Sequence, residues 1–138
     1  MFSYLTRVLV FCSGFGRLLT LSATLNRFGI FRMALCSNLE EVRQACARNA
    51  GFDLFITEEL IPGIDELNRL SAMSKDGCFK RLLIVGNYSS CEKSQLFKWA
   101  LEKRVGLLDV VEKPMSAMLL LQALEKLPKV ADCNLDAD

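Results

Sequence analysis

The sequence contains no histidine among its 138 residues. Histidine is the commonest general base and a frequent metal ligand, so its absence removes the simplest routes to acid–base catalysis, metal binding and phosphohistidine chemistry. No Asp or Glu occurs between Met1 and Phe31 either. A site that needs carboxylates must therefore take them from later in the chain. We expect no enzyme activity, no metal and no cofactor.

Close cysteine pairs are also missing, because none of the six cysteines lies in a C-x-x-C motif. This spacing predicts neither a zinc site nor a disulfide framework. Cys12 and Cys36 end apolar runs and Cys46 lies in a helical pattern, so we expect small buried side chains in a reducing cytoplasm. No uncharged apolar run reaches the ~18 residues of a membrane span.

Charge and composition indicate one globular domain without a charged binding field. The chain has 17 basic and 16 acidic residues, and 51% of it is hydrophobic. This balance does not favour nucleic acid as a partner. Residues 5–127 are expected to form the domain, and residues 128–138, with three aspartates, a short acidic tail.

Apolar runs alternate with helical patterns along the chain. Such alternation predicts an α/β fold, with a doubly wound parallel sheet of five strands and five helices. The strands are expected at 7–12, 30–36, 54–57, 81–85 and 107–111, and the helices at 18–28, 38–49, 64–73, 90–104 and 115–127. In such a sheet the site lies at the carboxyl ends of the strands.

Three segments together resemble the receiver domain of CheY-like response regulators. The third strand ends at Glu58 and is followed by Pro62-Gly63, a fourth apolar strand follows, and 109–114 reads Asp-Val-Val-Glu-Lys-Pro. The resemblance covers roughly residues 5–127. It implies the flavodoxin-like strand order 2-1-3-4-5 and a role in bacterial two-component signalling or a phosphorelay, through contacts with another protein such as a kinase, regulator or effector.

The resemblance also shows that most of the phosphorylation chemistry of receivers is missing. The acidic pair that binds Mg²⁺ maps to Ser13 and Gly14, and the phosphoacceptor aspartate maps to Glu58. The hydroxyl position is Gly86, whereas the lysine is kept as Lys113. Mg²⁺ needs several hard oxygen ligands, and glutamate is longer than aspartate by ~1.5 Å. We therefore expect a pseudo-receiver that is not phosphorylated.

Glu58 itself has two open interpretations. Its carboxylate could mimic a phosphoaspartate beside Lys113, or it could be a polar residue left after the chemistry was lost. In both cases the register set by Pro62 and Pro114 predicts that Glu58 and Lys113 approach each other.

Function is then expected to depend on a partner-binding surface. The fourth helix, fifth strand and fifth helix supply the candidates, with Leu19 of the first helix as a competing site and a homodimer as one outcome. The predicted contact residues are Lys93, Phe97, Lys98, Lys103, Val110 and Leu120.

Two alternatives remain open from the sequence. The glycine-rich segment Ser13–Arg17 joins a strand to a helix, and such a turn can bind phosphate or another small anion. The chain could also be an unusual receiver that is still phosphorylated.

Overall fold

A computed structural model describes residues 5–49, 51–58, 64–113 and 115–127. Within these ranges five strands alternate with five helices, as the sequence predicts. The elements are β1 (Arg7–Phe11), α1 (Phe15–Arg27), β2 (Arg32–Cys36), α2 (Leu39–Arg48), β3 (Phe52–Glu58), α3 (Ile64–Lys75), β4 (Phe79–Val85), α4 (Ser90–Lys103), β5 (Leu107–Val111) and α5 (Ala117–Leu124).

The five strands form one parallel sheet in the order β2-β1-β3-β4-β5. This order confirms the predicted doubly wound fold. β1, β3 and β4 occupy the centre, where both faces are covered, and each contains a run of buried apolar residues, at 8–10, 54–56 and 82–85. β2 and β5 form the edges.

Helices cover the two faces of the sheet in unequal layers. α1 and α5 pack on one face, where Leu25 and Leu124 are fully buried against Val8 and Val10. α2, α3 and α4 pack on the other face around Leu9 and Leu82. Each of the five helices follows a parallel strand, so all of them begin at the carboxyl edge of the sheet, where the loops to inspect converge.

Side-chain caps fix the starts of three helices, α2, α4 and α5. The Asn38 side chain accepts a hydrogen bond from the Glu41 amide, and Ser89 and Glu92 form a reciprocal capping box. The amide and hydroxyl of Ser37 both donate to Glu41, and these hydrogen bonds lower the pKa of its carboxyl. The helix starts are thus specified locally by the residues that the sequence offers as caps.

The cysteine prediction is correct at two positions and wrong at a third. Cys12 and Cys36 are buried free thiols, as expected. Cys46 instead forms a disulfide with Cys78, with Cα atoms 5.4 Å apart. The two residues are 32 positions apart, so the pairing arises from the packing of α2 against the turn that enters β4, which local spacing cannot reveal.

No helix within the described ranges is both long and apolar enough to cross a membrane. Pro62-Gly63, Pro114 and the acidic tail lie outside the described residues, so their predicted roles stay predictions.

Candidate functional site

Glu58 is a buried carboxylate at the carboxyl end of the central strand β3. Only 5% of the residue is exposed. β3 pairs with β1 and β4, and its register places Glu58 beside Val85, the last residue of β4. The strand thus delivers a negative charge to the centre of the edge where the loops converge, and such a charge needs compensation.

Two cations supply that compensation. The Oε1 atom of Glu58 lies 3.6 Å from Nζ of Lys113 and 3.3 Å from Nε of Arg17. The first contact confirms the predicted approach of Glu58 and Lys113. The second contact was not predicted: Arg17 lies in the first turn of α1 and reaches back over the strand ends. Arg17 is half-exposed, whereas Lys113 is more enclosed.

Lys113 is positioned by contacts between two neighbouring loops. Its backbone amide donates to the side-chain oxygen of Asn87 over 3.0 Å, and the amide of Gly86 donates to the carbonyl of Val111 over 2.9 Å. The loops after β4 and β5 are therefore joined, which limits where the Lys113 side chain can go.

Gly86 holds the position predicted for a phosphate-contacting hydroxyl, and an aromatic ring covers it. A Cβ atom placed on Gly86 would lie 2.7 Å from the ring of Tyr88, closer than real Cβ contacts. Burial raises the pKa of the Tyr88 phenol, and the nearby charge of Glu92 adds to this effect. A serine or threonine therefore fits at Gly86 only if the Tyr88 ring moves.

The loop after β1 holds the other predicted site residues, Ser13 and Gly14. A Cβ atom on Gly14 would lie 3.0 Å from Nε of Arg17, so the guanidinium lies across this turn. Beneath it, the buried thiol of Cys12 lies 3.7 Å from the carbonyl oxygen of Gly14. Burial is the largest cause that raises the pKa of Cys12. Cys12 is therefore a poor nucleophile despite its place in the site.

These residues do not fit a divalent cation. Ser13 and Gly14 offer no carboxylate, and the oxygen of Glu58 is already approached by Arg17 and Lys113. A hard cation would meet two positive charges and too few oxygen ligands. Across the described ranges, no group of three or more His, Cys, Asp or Glu residues is placed to hold a metal ion.

The predicted partner surface is only partly exposed. Lys98 and Lys103 face solvent and Phe97 is 39% exposed, while Lys93 is half-buried and pairs with Glu112 at 3.4 Å.

The prediction that Val110 and Leu120 contact a partner is wrong. They are 7% and 1% exposed because they point into the two core layers, so they cannot contact a partner while the fold is intact. Leu101 was not predicted for this surface; it is 82% exposed and lies one helical turn after Phe97.

Solved structures with this fold include response-regulator receivers. One is the chemotaxis protein CheY4 of Vibrio cholerae, with a TM-score of 0.67, 20% identity, and coverage of 89% of this chain and 98% of that chain. The beryllofluoride-activated NtrC4 receiver domain dimer has a TM-score of 0.68 at 20% identity, with 89% and 97% covered. A response regulator receiver protein from Pseudomonas putida has a TM-score of 0.66 at 21% identity, with 86% and 94% covered.

These similarities establish the receiver fold for this chain. No protein-family model matches the sequence, and no curated protein matches it significantly.

Proposed function

We propose that this protein is a pseudo-receiver, a signalling adaptor that uses the receiver fold without receiver phosphorylation and acts by binding another protein. The observation that carries the proposal is the contact of one buried carboxylate, Glu58, with both Arg17 and Lys113. Phosphoryl transfer to a receiver needs a free carboxylate beside a bound cation that neutralises the transferred group. Here the side chain is a glutamate, which is longer than aspartate, and its carboxylate is buried and already contacts Arg17 and Lys113.

The charge pattern of the site supports the interpretation of Glu58 as a phosphoaspartate mimic. In a phosphorylated receiver, an anion lies between a lysine and a metal ion. In this chain Glu58 supplies the anion, Lys113 keeps the lysine and Arg17 adds the second positive charge. On this hypothesis Lys113 always contacts Glu58 in the unmodified chain, so phosphorylation is not needed to position Lys113.

The surface formed by α4, β5 and α5 is the proposed partner-binding face. Phe97 and Leu101 place two exposed apolar side chains one turn apart on α4, with Lys98 beside them. Apolar residues flanked by charge are typical of contact surfaces. The NtrC4 receiver domain was solved as a dimer, which supports testing a homodimer first.

Ion pairs tie the proposed face together from both sides of β5. Lys93 of α4 contacts Glu112 just after β5 at 3.4 Å, and Lys126 after α5 contacts Asp109 at 2.6 Å. Both pairs are partly exposed, so each contributes little to stability and adds to the packing of the buried residues of α4 and α5. The face therefore lies on packed elements of the fold, which lowers the entropy cost of binding.

Anion binding at Ser13–Arg17 is the weaker alternative. The guanidinium of Arg17 would be the main anion-binding group of that loop, and it already contacts Glu58 at 3.3 Å. An added anion would have to compete with this buried carboxylate. A third possibility, an unusual receiver that is still phosphorylated, must overcome the same contact.

Phosphorylation is tested by incubating the protein with acetyl phosphate, with and without Mg²⁺, and measuring the intact mass. We expect no phosphoryl adduct on the wild type or on Glu58→Asp, because the acidic pair is missing in both. An adduct on wild type that depends on Glu58 would refute the pseudo-receiver proposal.

Association is tested by light scattering over a range of protein concentrations. We expect dimers that Leu101→Asp disrupts, with Leu19→Asp on α1 as the matched control because Leu19 is also exposed, at 55%. Loss of association only in the Leu19 variant would move the interface to α1. If the wild type stays monomeric, the homodimer is refuted, and the proposal then requires binding to a different protein.

The cytoplasmic location and the two-component pathway remain predictions. The disulfide between Cys46 and Cys78 bears on the first, because disulfides persist mainly in oxidising compartments. Disulfides are rare in a reducing cytoplasm, so the redox state of this pair in the cell bears directly on the predicted location.

A further inference from the structure

A groove of about 460 Å³ lies between α2 and α3, on the side of the sheet opposite α1 and α5. Its apolar lining includes Val42 and Met73, and charged side chains such as Arg43 and Asp76 also line it. Both sulfur-bearing residues of the disulfide, Cys46 and Cys78, line this groove as well. The bond can therefore be approached by a small molecule that enters the groove.

The two cysteines differ in accessibility. Cys46 is half-buried on the last turns of α2, whereas Cys78 is only 4% exposed in the turn that enters β4. Thiol–disulfide exchange requires access to the sulfur that is attacked. The greater exposure of the Cys46 residue therefore favours attack at its sulfur.

α2 has few buried residues besides the disulfide. Val42 is the only residue of this helix that is fully buried, although Ala45 and Cys46 pack partly against the same core. By comparison, α1 and α5 each bury three residues. A helix with so few buried contacts depends more than its neighbours on a covalent link to the core.

We propose that Cys46–Cys78 is a reversible redox latch on α2, and that Cys46 is the site at which a small thiol compound enters. A thiolate from the compound attacks Sγ of Cys46, the Cys46–Cys78 bond breaks, and Cys78 leaves as a thiolate that takes up a proton. A second molecule of the thiol then attacks the sulfur of the compound in the mixed disulfide. Cys46 is released as a thiol and the compound leaves as its own disulfide, so two electrons pass from two thiols to the protein.

Opening the latch loosens α2 and leaves the sheet in place. The central strands keep their apolar contacts without the bond, while α2 keeps Val42 as its fully buried anchor. This inference does not depend on the pseudo-receiver proposal, because the groove lies on the opposite face from α1 and α5 and uses none of the residues around Glu58.

The experiment uses the full chain with Cys91→Ser and Cys133→Ser, which removes the exposed free thiol and the cysteine outside the described residues. Oxidised protein is equilibrated with glutathione and its disulfide at several ratios. Peptide mass mapping then follows the Cys46–Cys78 bond and any glutathione adduct. Hydrogen exchange is measured in residues 39–48 of α2, with 117–124 of α5 as the internal control.

We expect one reversible transition between the disulfide and the dithiol, with the mixed disulfide on Cys46. In matched variants that retain one cysteine of the pair, Cys78→Ser should form the glutathione adduct at least tenfold faster than Cys46→Ser. Reduction should speed exchange in α2 at least tenfold and leave α5 unchanged. Adducts mainly on Cys78, a pair that stays reduced in oxidised glutathione, or equal exchange in both helices would each overturn the proposal.

Discussion

The ion pairs of Glu58 make a specific energetic prediction: Arg17 and Lys113 should compensate for each other. At separations of 3.3 and 3.6 Å, each contact has a Coulomb attraction of about 4–5 kcal/mol if the effective dielectric constant is near 20. Desolvation of the buried carboxylate offsets much of this. Arg17 is 48% exposed, so solvent screening reduces its net share further.

Removal of one cation leaves Glu58 with the other, so the single variants should be mild. We expect Arg17→Met to cost ~1 kcal/mol or less and Lys113→Met ~1–2 kcal/mol. The double variant leaves a buried carboxylate with neither cation and should cost ~3–5 kcal/mol, more than the sum of the singles. Adding Glu58→Gln to the double variant should recover about 2 kcal/mol, because the uncompensated charge is gone.

Urea unfolding followed by Trp99 fluorescence measures each of these values, since Trp99 is half-buried against the core. The control is the exposed pair Lys93–Glu112, where a double-mutant cycle should give less than ~1 kcal/mol. Additive losses for Arg17 and Lys113, or no recovery when Glu58 is neutralised, would refute the claim that the two cations stabilise one buried charge.

Other predictions follow from single contacts. Gly86→Ser should lower the free energy of unfolding, measured in urea, by ~1–3 kcal/mol, because the new Cβ would meet the Tyr88 ring. In a Tyr88→Ala background, the same substitution should lose most of that cost. Ser89→Ala removes one side of the capping box and should cost ~1 kcal/mol by the same assay; an unchanged midpoint would contradict the role of the cap. Burial, followed by the charge of Glu41, raises the pKa of Cys36 to about 11, so iodoacetamide at pH 8 should label Cys91 well before Cys36. Because the folded pKa of Cys36 lies above the ordinary value near 9, its contribution to stability is complete below about pH 9 and is lost as the pH rises towards 11.

The sequence predicts the fold well because the fold depends on local patterns. Strands buried on both faces are expected to be continuous apolar runs, and 8–12 and 82–85 are such runs. Helix starts are specified within a few residues by capping groups such as Asn38. The approach of Glu58 and Lys113 was also predictable, since both follow strands whose carboxyl ends share one edge.

The features that the sequence did not predict depend on direction and long-range packing. Arg17 reaches Glu58 only because α1 begins at Phe15, which turns this side chain over the strand ends. In α5, the apolar run 118–121 contains residues from 63% to 1% exposed, and only the helix rotation distinguishes Met118 from the buried Leu120. Cys46 and Cys78 are brought together by tertiary packing.

The charge cluster of Glu58, Arg17 and Lys113 limits where a regulatory signal can act on the molecule. A receiver with several carboxylates at the strand ends keeps repelling negative charges, which a metal ion must balance and to which a phosphoryl group adds. Here Arg17 and Lys113 balance Glu58 within the chain itself, so the energy of the site contributes to folding. A site satisfied in this way has little differential affinity left for an incoming ligand, and a ligand without differential affinity shifts no equilibrium. On the proposed function, a change of state must therefore begin at another part of the fold, and the sparsely anchored α2 with its disulfide is the element best placed to respond.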